Sequence, residues 1–530
     1  MRVADAVRKG DTHPASFAAY LIVTAVLCGG LVMVIEVLGS RVIGPFFGVS
    51  LFVWTSLITV TLVSLATGYA AGGVLSDRRS SPDYLYGIIF AAGLLTLLVP
   101  QAKHYVLKSC MSLGLRSGAL ASSALLFGPA LFLLGCVSPY VIKIAAREMK
   151  NIGRTVGIFY ALSTAGSFIG TVLTGFVLIA YFRVGMIFEF IGFTLLLLSA
   201  LYFVFFRRKW YVLPVLLLPL LLPIGGGRVQ KTMADGTTVT RVFSEDSFYG
   251  NLKVVDYSYG PTHTREMIID GLVQSGVDMR NGQSVYEYAY FMNFLPYGMN
   301  PDGRNSLVIG LGAGLIPRWF EEHGIATDVV DIDPKVADVA GRYFGFRNAG
   351  GVVISDARYF LATAAKKYDY IVVDVFNGDT TPGHLLSLEA FRLLRQRLTD
   401  RGVVAFNLIG SLRQPFVMAS VVRTLKQVFR SVKIYPEFNP AEGGGCGNIA
   451  VVAYDAPSLS FDPARVRKFP IHPLAEAGVL RYLGKEYSFP EGTPAMVLSD
   501  DFNPVDVYDL RLKETVRKNI LKNTDWDILI

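Results

Sequence analysis

The first 206 residues hold a succession of apolar stretches, and they rule out a wholly water-soluble globule. A bilayer-spanning helix takes roughly 20 mostly apolar residues. Stretches of that kind, or close to it, run over 16–39, 50–74, 84–100, 118–142, 156–182 and 184–206. A seventh, Trp210 to Ile224, is short and carries three prolines, which suits a re-entrant segment or a poor span. Ser16 to Leu38 is longer than the core of a signal peptide and more apolar segments follow it, so it reads as a retained first membrane helix. Gly68, Gly72, Gly73, Ala161, Gly166, Gly170 and Gly175 suit close helix packing in lipid. Glu36 and Glu189 lie inside apolar stretches, where an ionisable group suggests either a cation path or a paired, interfacial acid.

Charge divides the chain in the same place. Residues 1–225 hold 17 Lys and Arg against 7 Asp and Glu, and the remainder is nearly balanced at 33 against 35. The basic excess therefore flanks membrane segments and is not a nucleic-acid-binding face, so membrane lipid is an expected partner and nucleic acid is not. Basic residues such as Arg8, Arg78, Arg147 and Arg207 accumulate on one side of the spans, which predicts a cytoplasmic N-terminus in a multi-pass cell-membrane protein. Seven full spans would leave residues 226–530 outside the cytoplasm, and six would leave them inside. Four cysteines (Cys28, Cys110, Cys136, Cys446) show no paired spacing, and no Cys/His cluster has metal-ligand spacing, so neither a disulfide framework nor a metal is expected.

Beyond a Gly225-Gly-Gly linker the pattern changes. Residues 236–300 read as a small antiparallel β-domain and a helix, residues 301–455 as alternating strands and helices of a doubly wound sheet, and 456–530 as a C-terminal extension. The fold class is thus an α-helical multi-pass membrane domain (1–225) followed by a Rossmann-like α/β domain with its preceding β-domain.

The chemistry concentrates between Ser306 and Asp379. Ser306-Leu-Val-Ile-Gly-Leu-Gly-Ala-Gly314 is an apolar strand ending in Gly310, Gly312 and Gly314, which permit a tight turn and close backbone approach to a ligand. Asp331, after the second strand, is placed for two ribose hydroxyls. Asp356, after the third, is placed for an adenine amino group, with the Ala357 amide beside it. Each such acid also suits a helix N-cap. Asp374 ends the fourth strand and precedes a Gly- and Pro-bearing loop, where a carboxylate can hold an amine and help remove its proton. The three acids in order favour an adenosyl-sulfonium ligand over a dinucleotide.

These residues resemble the spermidine/spermine synthases, and the whole chain resembles their membrane-fused relatives. Ser247-Phe-Tyr249 is similar to the family's opening S-x-Y strand, and Ile269-Asp-Gly-Leu-Val-Gln274 to its L-D-G-x-x-Q, whose glutamine contacts the cofactor. Tyr286 lies where the family has a tyrosine before its acceptor-binding segment. Asp331, Asp356 and Asp374 fall at its ribose, adenine and catalytic-base positions. The resemblance implies a polyamine aminopropyltransferase that uses decarboxylated S-adenosylmethionine as co-substrate and an amine such as putrescine as acceptor. Because that cofactor is made in the cytoplasm, it favours a cytoplasmic soluble half. A homo-oligomer stays open.

The acceptor side departs from the family. Its usual acidic pair is absent, Glu287 takes a histidine's place, and the D-x-x-D loop becomes Asp374 and Asp379 with Asn377 between. Tyr249, Asp270, Tyr286, Glu287 and Asp379 are the candidates for binding the acceptor, with Asp500 and Asp501 as further acids within reach. Two other readings share the same motifs: a methyltransferase using intact S-adenosylmethionine, and a membrane transporter or sensor whose soluble half binds without turnover. A further short resemblance, Gly68 to Arg79, is to the loop between helices two and three of major facilitator transporters.

Overall fold

The structure, a computed structural model, describes residues 15–48, 51–146, 152–218, 229–348, 350–376, 381–440, 445–508, 512 and 514–518. The chain forms two compact units, Met1–Gly227 and Arg228–Ile530.

Among the described residues of the first unit, six helices are long and apolar enough to cross a membrane: Ser16–Phe47, Phe52–Arg78, Pro82–Leu113, Gly128–Ala146, Ile152–Leu178 and Val184–Phe205. The expected span over 118–142 is broken. Leu115–Leu126 is a separate short helix and a new one starts at Gly128, because Pro129 has no N–H to continue the ladder and fits only a first turn. Several glycines, Gly72 among them, sit at backbone-to-backbone helix contacts. A Cβ on Gly166 would collide with the Val26 carbonyl, one on Gly170 with that of Gly30, and one on Gly68 with that of Phe132. Gly73 and Gly175, expected to serve the same purpose, face open space. Gly68 to Arg78 finishes one helix, and the turn before the next is only residues 79–81. Glu36 and Glu189 are half-buried. The seventh apolar segment is a short 3-10 helix, Trp210–Leu217, and its last residues lie outside those described.

The second unit holds two sheets. The first is antiparallel, in the order β1 (Val229–Thr232), β2 (Thr238–Asp246), β3 (Asn251–Tyr259), β4 (Thr262–Ile269) and β5 (Leu272–Asp278). It begins before the expected start at 236. Asp270 and Gly271, both with positive φ, make the two-residue turn between β4 and β5. The second sheet comprises β6 (Asn305–Ile309), β7 (Ala326–Asp331), β8 (Val352–Ile354), β9 (Tyr368–Val373), β10 (Leu398–Ser411), β11 (Ser431–Pro436) and β12 (Cys446–Tyr454). Its spatial order is β11-β12-β10-β9-β6-β7-β8. The pairs from β8 to β10 are parallel and β12 is antiparallel to both its neighbours. Continuous Val/Ile/Leu runs in β6, β9 and β10 are buried, as central strands covered on both faces require.

The strand order reverses between β6 and β9, so their carboxyl ends flank the crevice where such sheets take ligands. The C-terminal extension is part of this core. Val466, Ala475 and Val479 pack with Phe291 and Phe294 of helix Glu287–Met299 on one face. Leu498 and Val505 join Phe391 and Phe406 on the other.

Candidate active site at the carboxyl ends of the central strands

Close backbone approach defines the crevice. The Asp374 amide donates to the Ile309 carbonyl at 2.9 Å, and the two strand ends then run so near that a Cβ on Gly310 would collide with the Asp374 carbonyl. A Cβ on Gly312 would come 2.7 Å from the Ser275 hydroxyl, which accepts a hydrogen bond from the Ala313 amide (3.2 Å). Ser275 also pairs with the Tyr288 hydroxyl at 3.0 Å. The β5 strand thereby braces the glycine turn from outside.

Asp331 closes the turn from the other side. Its two carboxylate oxygens accept from the Leu311 amide and the Asp333 amide, each at 2.8 Å. Burial pushes its pKa up to about 6, against the lowering effect of those amides. Lone pairs remain for two adjacent hydroxyls of a ligand. Asp356 caps helix Ala357–Thr363, accepting from the Tyr359 amide at 3.0 Å, and its other oxygen lies 3.5 Å from His384 Nε2. Ala357, the first residue of that helix, is buried.

Asp374 stands at the end of β9. Asn407 on β10 donates to its Oδ1 at 2.8 Å. Burial raises the Asp374 pKa to about 6, with the Asn407 bond opposing. The neutral Tyr288 phenol, buried and held by Ser275 and the Gln274 carbonyl, is within electrostatic reach of Asp374. Glu437, just past β11, also faces this group. Its carboxyl is driven well above the usual range, first by burial and then by the charges of Glu287 and Asp374. Asn407, Ser275, Tyr288 and Glu437 were not among the residues expected from sequence. Asn407 alone carries a local signal, a buried amide within the apolar run Val403 to Ile409.

The other expected residues scatter. Gln274 is half-buried, and its side-chain amide has one long contact, 3.4 Å to the Leu272 carbonyl. Tyr249 is exposed, and burial followed by the charges of Asp333, Asp356 and Asp331 raises its phenol, which places it beside the acids expected for the nucleoside. The Tyr286 hydroxyl donates to Glu266 in the antiparallel sheet. Asp270 is buried in the β4–β5 turn, where its carboxylate accepts from the Asn251 amide at 2.9 Å. Glu287 opens helix Glu287–Met299, and a Cβ on Gly478 would come 2.5 Å from its Oε1. Asp379 lies outside the described residues. Asp500 forms a two-pronged pair with Arg358, 2.7 Å for each contact, and so braces the helix after Asp356.

The family model for the spermine/spermidine synthase domain matches residues 287–459, the segment that carries the glycine turn, the three acids and Glu437. Through this segment the chain is similar to the spermine/spermidine synthase family. Its relatives include an N-terminal histidine N-methyltransferase of Emericella nidulans, 39% identical over 27% of this chain and 26% of that protein. A polyamine aminopropyltransferase of Vibrio vulnificus is 32% identical over 26% of this chain and 48% of the relative. The chain thus spans a quarter to a half of the length of these curated relatives. A probable spermidine synthase structure from Corynebacterium glutamicum superposes with a TM-score of 0.38 at 20% identity, covering 49% of this chain and 90% of that one. Within the synthase family frame, the matched segment begins at Glu287 and so leaves the antiparallel sheet, with Tyr249 and Gln274, outside it.

Proposed function

We propose that the soluble unit is an aminopropyltransferase that moves the aminopropyl group of decarboxylated S-adenosylmethionine to an amine and releases 5′-methylthioadenosine. The observation that carries the reading is Asp374, a largely enclosed carboxylate at the switch point of a spermine/spermidine synthase domain, gripped by Asn407 and set against the glycine turn. The residues suit the task. Asp331 has acceptor capacity for ribose hydroxyls, Asp356 and the Ala357 amide stand at the next strand end, and Gln274 has a nearly free side chain.

In the reaction the acceptor nitrogen attacks the propyl carbon bonded to the sulfonium. The new C–N bond forms as the C–S bond breaks, and its electron pair returns to sulfur as a neutral thioether. The nitrogen must first lose a proton, and an ammonium near pKa 10 holds it firmly. Asp374 takes the ammonium as an ion pair and accepts that proton, while the strand ends align nitrogen and carbon.

The membrane reading completes the proposal. Six spans return the chain to the side on which it starts, and the basic loops put that side in the cytoplasm, where the cofactor is made. Protease protection of the C-terminus in sealed vesicles checks this: cleavage only from the cytoplasmic face supports it.

The histidine N-methyltransferase relative favours a second reading, methyl transfer from intact S-adenosylmethionine to an amine. One experiment separates the two. Full-length protein in detergent is given each cofactor with a panel of amines, and the products are analysed. Methylthioadenosine and a lengthened amine support aminopropyl transfer. S-adenosylhomocysteine and a methylated amine support the alternative.

A further inference from the structure

We propose that a cavity among four helices of the first unit binds an uncharged, ring-sized lipophile with a hydroxyl or carbonyl group, which enters sideways from the bilayer. The inference rests on the membrane reading of that unit and is independent of the aminopropyl-transfer chemistry.

The cavity follows from the glycine contacts. Gly166 and Gly170 hold helix Ile152–Leu178 against Ser16–Phe47, and Gly68 and Gly72 hold Phe52–Arg78 against Gly128–Ala146. Each pair closes on itself. Where the two pairs meet, a cavity of about 100 Å³ remains, bounded by Val32, Tyr69, Ser138 and Ser163, one from each helix. An apolar cavity of similar order, ~150 Å³, accepts benzene.

The polar groups decide what the cavity takes. Elsewhere in this unit Thr24, Thr96, Ser123 and Thr174 turn their hydroxyls onto the carbonyl one turn earlier, at 2.7–2.8 Å. Ser167, which also lines the cavity, donates to the Gly29 carbonyl at 3.0 Å. Tyr69, Ser138, Tyr160 and Ser163 line it too, and their hydroxyls make no hydrogen bond among the described residues. In hydrocarbon such groups call for a partner. An acyl chain offers none, whereas a hydroxyl or carbonyl does. No acidic or basic side chain lines the cavity among the described residues, so a charged guest would stay uncompensated.

The way in is lateral. Tyr69 and Tyr160 are 45% and 57% exposed. Phe168, Ile169, Val172 and Phe176, on the helix of Tyr160, are exposed as well, an apolar surface that in a bilayer meets hydrocarbon. Tyr69 lies nine residues before Arg78 and Tyr160 eight after Ile152. That is roughly 12–14 Å along their helices, deep in a hydrocarbon layer ~30 Å thick.

The test is a scintillation-proximity titration of the full-length protein in detergent with tritiated 4-octylphenol. Saturable binding at one site per chain is expected. Phenol, which lacks the tail, and 4-octylbenzylamine, which carries a charge, should each compete at least about tenfold more weakly. Tyr69→Phe combined with Ser138→Ala keeps the shape, removes two hydroxyls and should weaken binding by about 5- to 100-fold. Ser138→Leu fills the space and should abolish binding. Gel filtration and a retained unfolding transition certify that both variants are folded. Absence of saturable binding, an amine that competes as well as 4-octylphenol, equal competition by phenol, or unchanged binding in Ser138→Leu would each overturn the proposal. Release of the protein from vesicles by alkaline carbonate would refute the spans, and the proposal with them, while leaving the aminopropyl-transfer reading untouched.

Discussion

Gly310 and Asp374 meet backbone to backbone: a single added carbon on Gly310 would collide with the Asp374 carbonyl oxygen. The contact joins the two strand ends where the sheet reverses direction, and it sets the distance between the glycine turn and the acid beside it. Gly310 also has φ +92, a conformation that L side chains rarely adopt.

Gly310→Ala therefore faces strain and a collision with unyielding backbone. We expect a loss of about 2–4 kcal/mol in stability, read by thermal unfolding. Methylthioadenosine binding should weaken by at least tenfold in whatever protein remains folded, roughly the effect of a shift of 1.4 kcal/mol.

Asp374→Asn keeps the side chain's shape and its contact with Asn407 but removes the base. Aminopropyl transfer should fall by about 100-fold or more, the lower range for a positioned general base. Methylthioadenosine affinity should hardly change. Wild-type turnover by the variant would remove Asp374 from the chemistry.

The pH dependence has a defined sign. Asp374 must be ionised to take a proton, and its pKa is pushed up to about 6. Turnover should thus fall as pH drops through about 6. Asn407 stabilises the ionised form, so Asn407→Leu should move that limb to higher pH, by about one unit for the loss of one charged hydrogen bond. A pH–rate profile of both proteins checks it, and an unmoved limb would detach Asn407 from this role.

The same acid opposes folding. Its pKa rises from 3.8 unfolded to about 6 folded. Below 3.8 both states hold the proton and there is no effect. As pH rises from there to about 6, the unfolded chain releases the proton first, stability declines, and the full deficit persists above 6. Asp374→Asn should accordingly be more stable than wild type at neutral pH, by about 1–3 kcal/mol, with the gain vanishing near pH 3.8. Thermal melts across that range measure it.

Much of this arrangement could be read along the chain because its cause is local. Gly310, Gly312 and Gly314 follow an apolar run, and Asp331, Asp356 and Asp374 each follow a short hydrophobic strand; alternation and turn residues are enough to place them at strand ends. The apolar stretch over 118–142 is interrupted by an equally local feature, the Gly128-Pro129 step between helices Leu115–Leu126 and Gly128–Ala146. Other features had no local trace. Asn407 meets Asp374 across 33 residues, His472 meets Asp278 across 194, and Arg358 meets Asp500 across 142. The partners of Asp270 and Asp500, the Asn251 amide and Arg358, are likewise absent from any local pattern.

What the sequence by itself determined is the chain's division into apolar helices and an α/β unit, and the strand ends that carry glycine or acid. These follow from hydropathy and from backbone conformations that each residue type permits. Only the tertiary structure decided which side chains gather near Asp374, because Asn407 and Glu437 come from separate elements. Their meeting depends on the strand order β12-β10-β9-β6, and no periodicity along the chain encodes that.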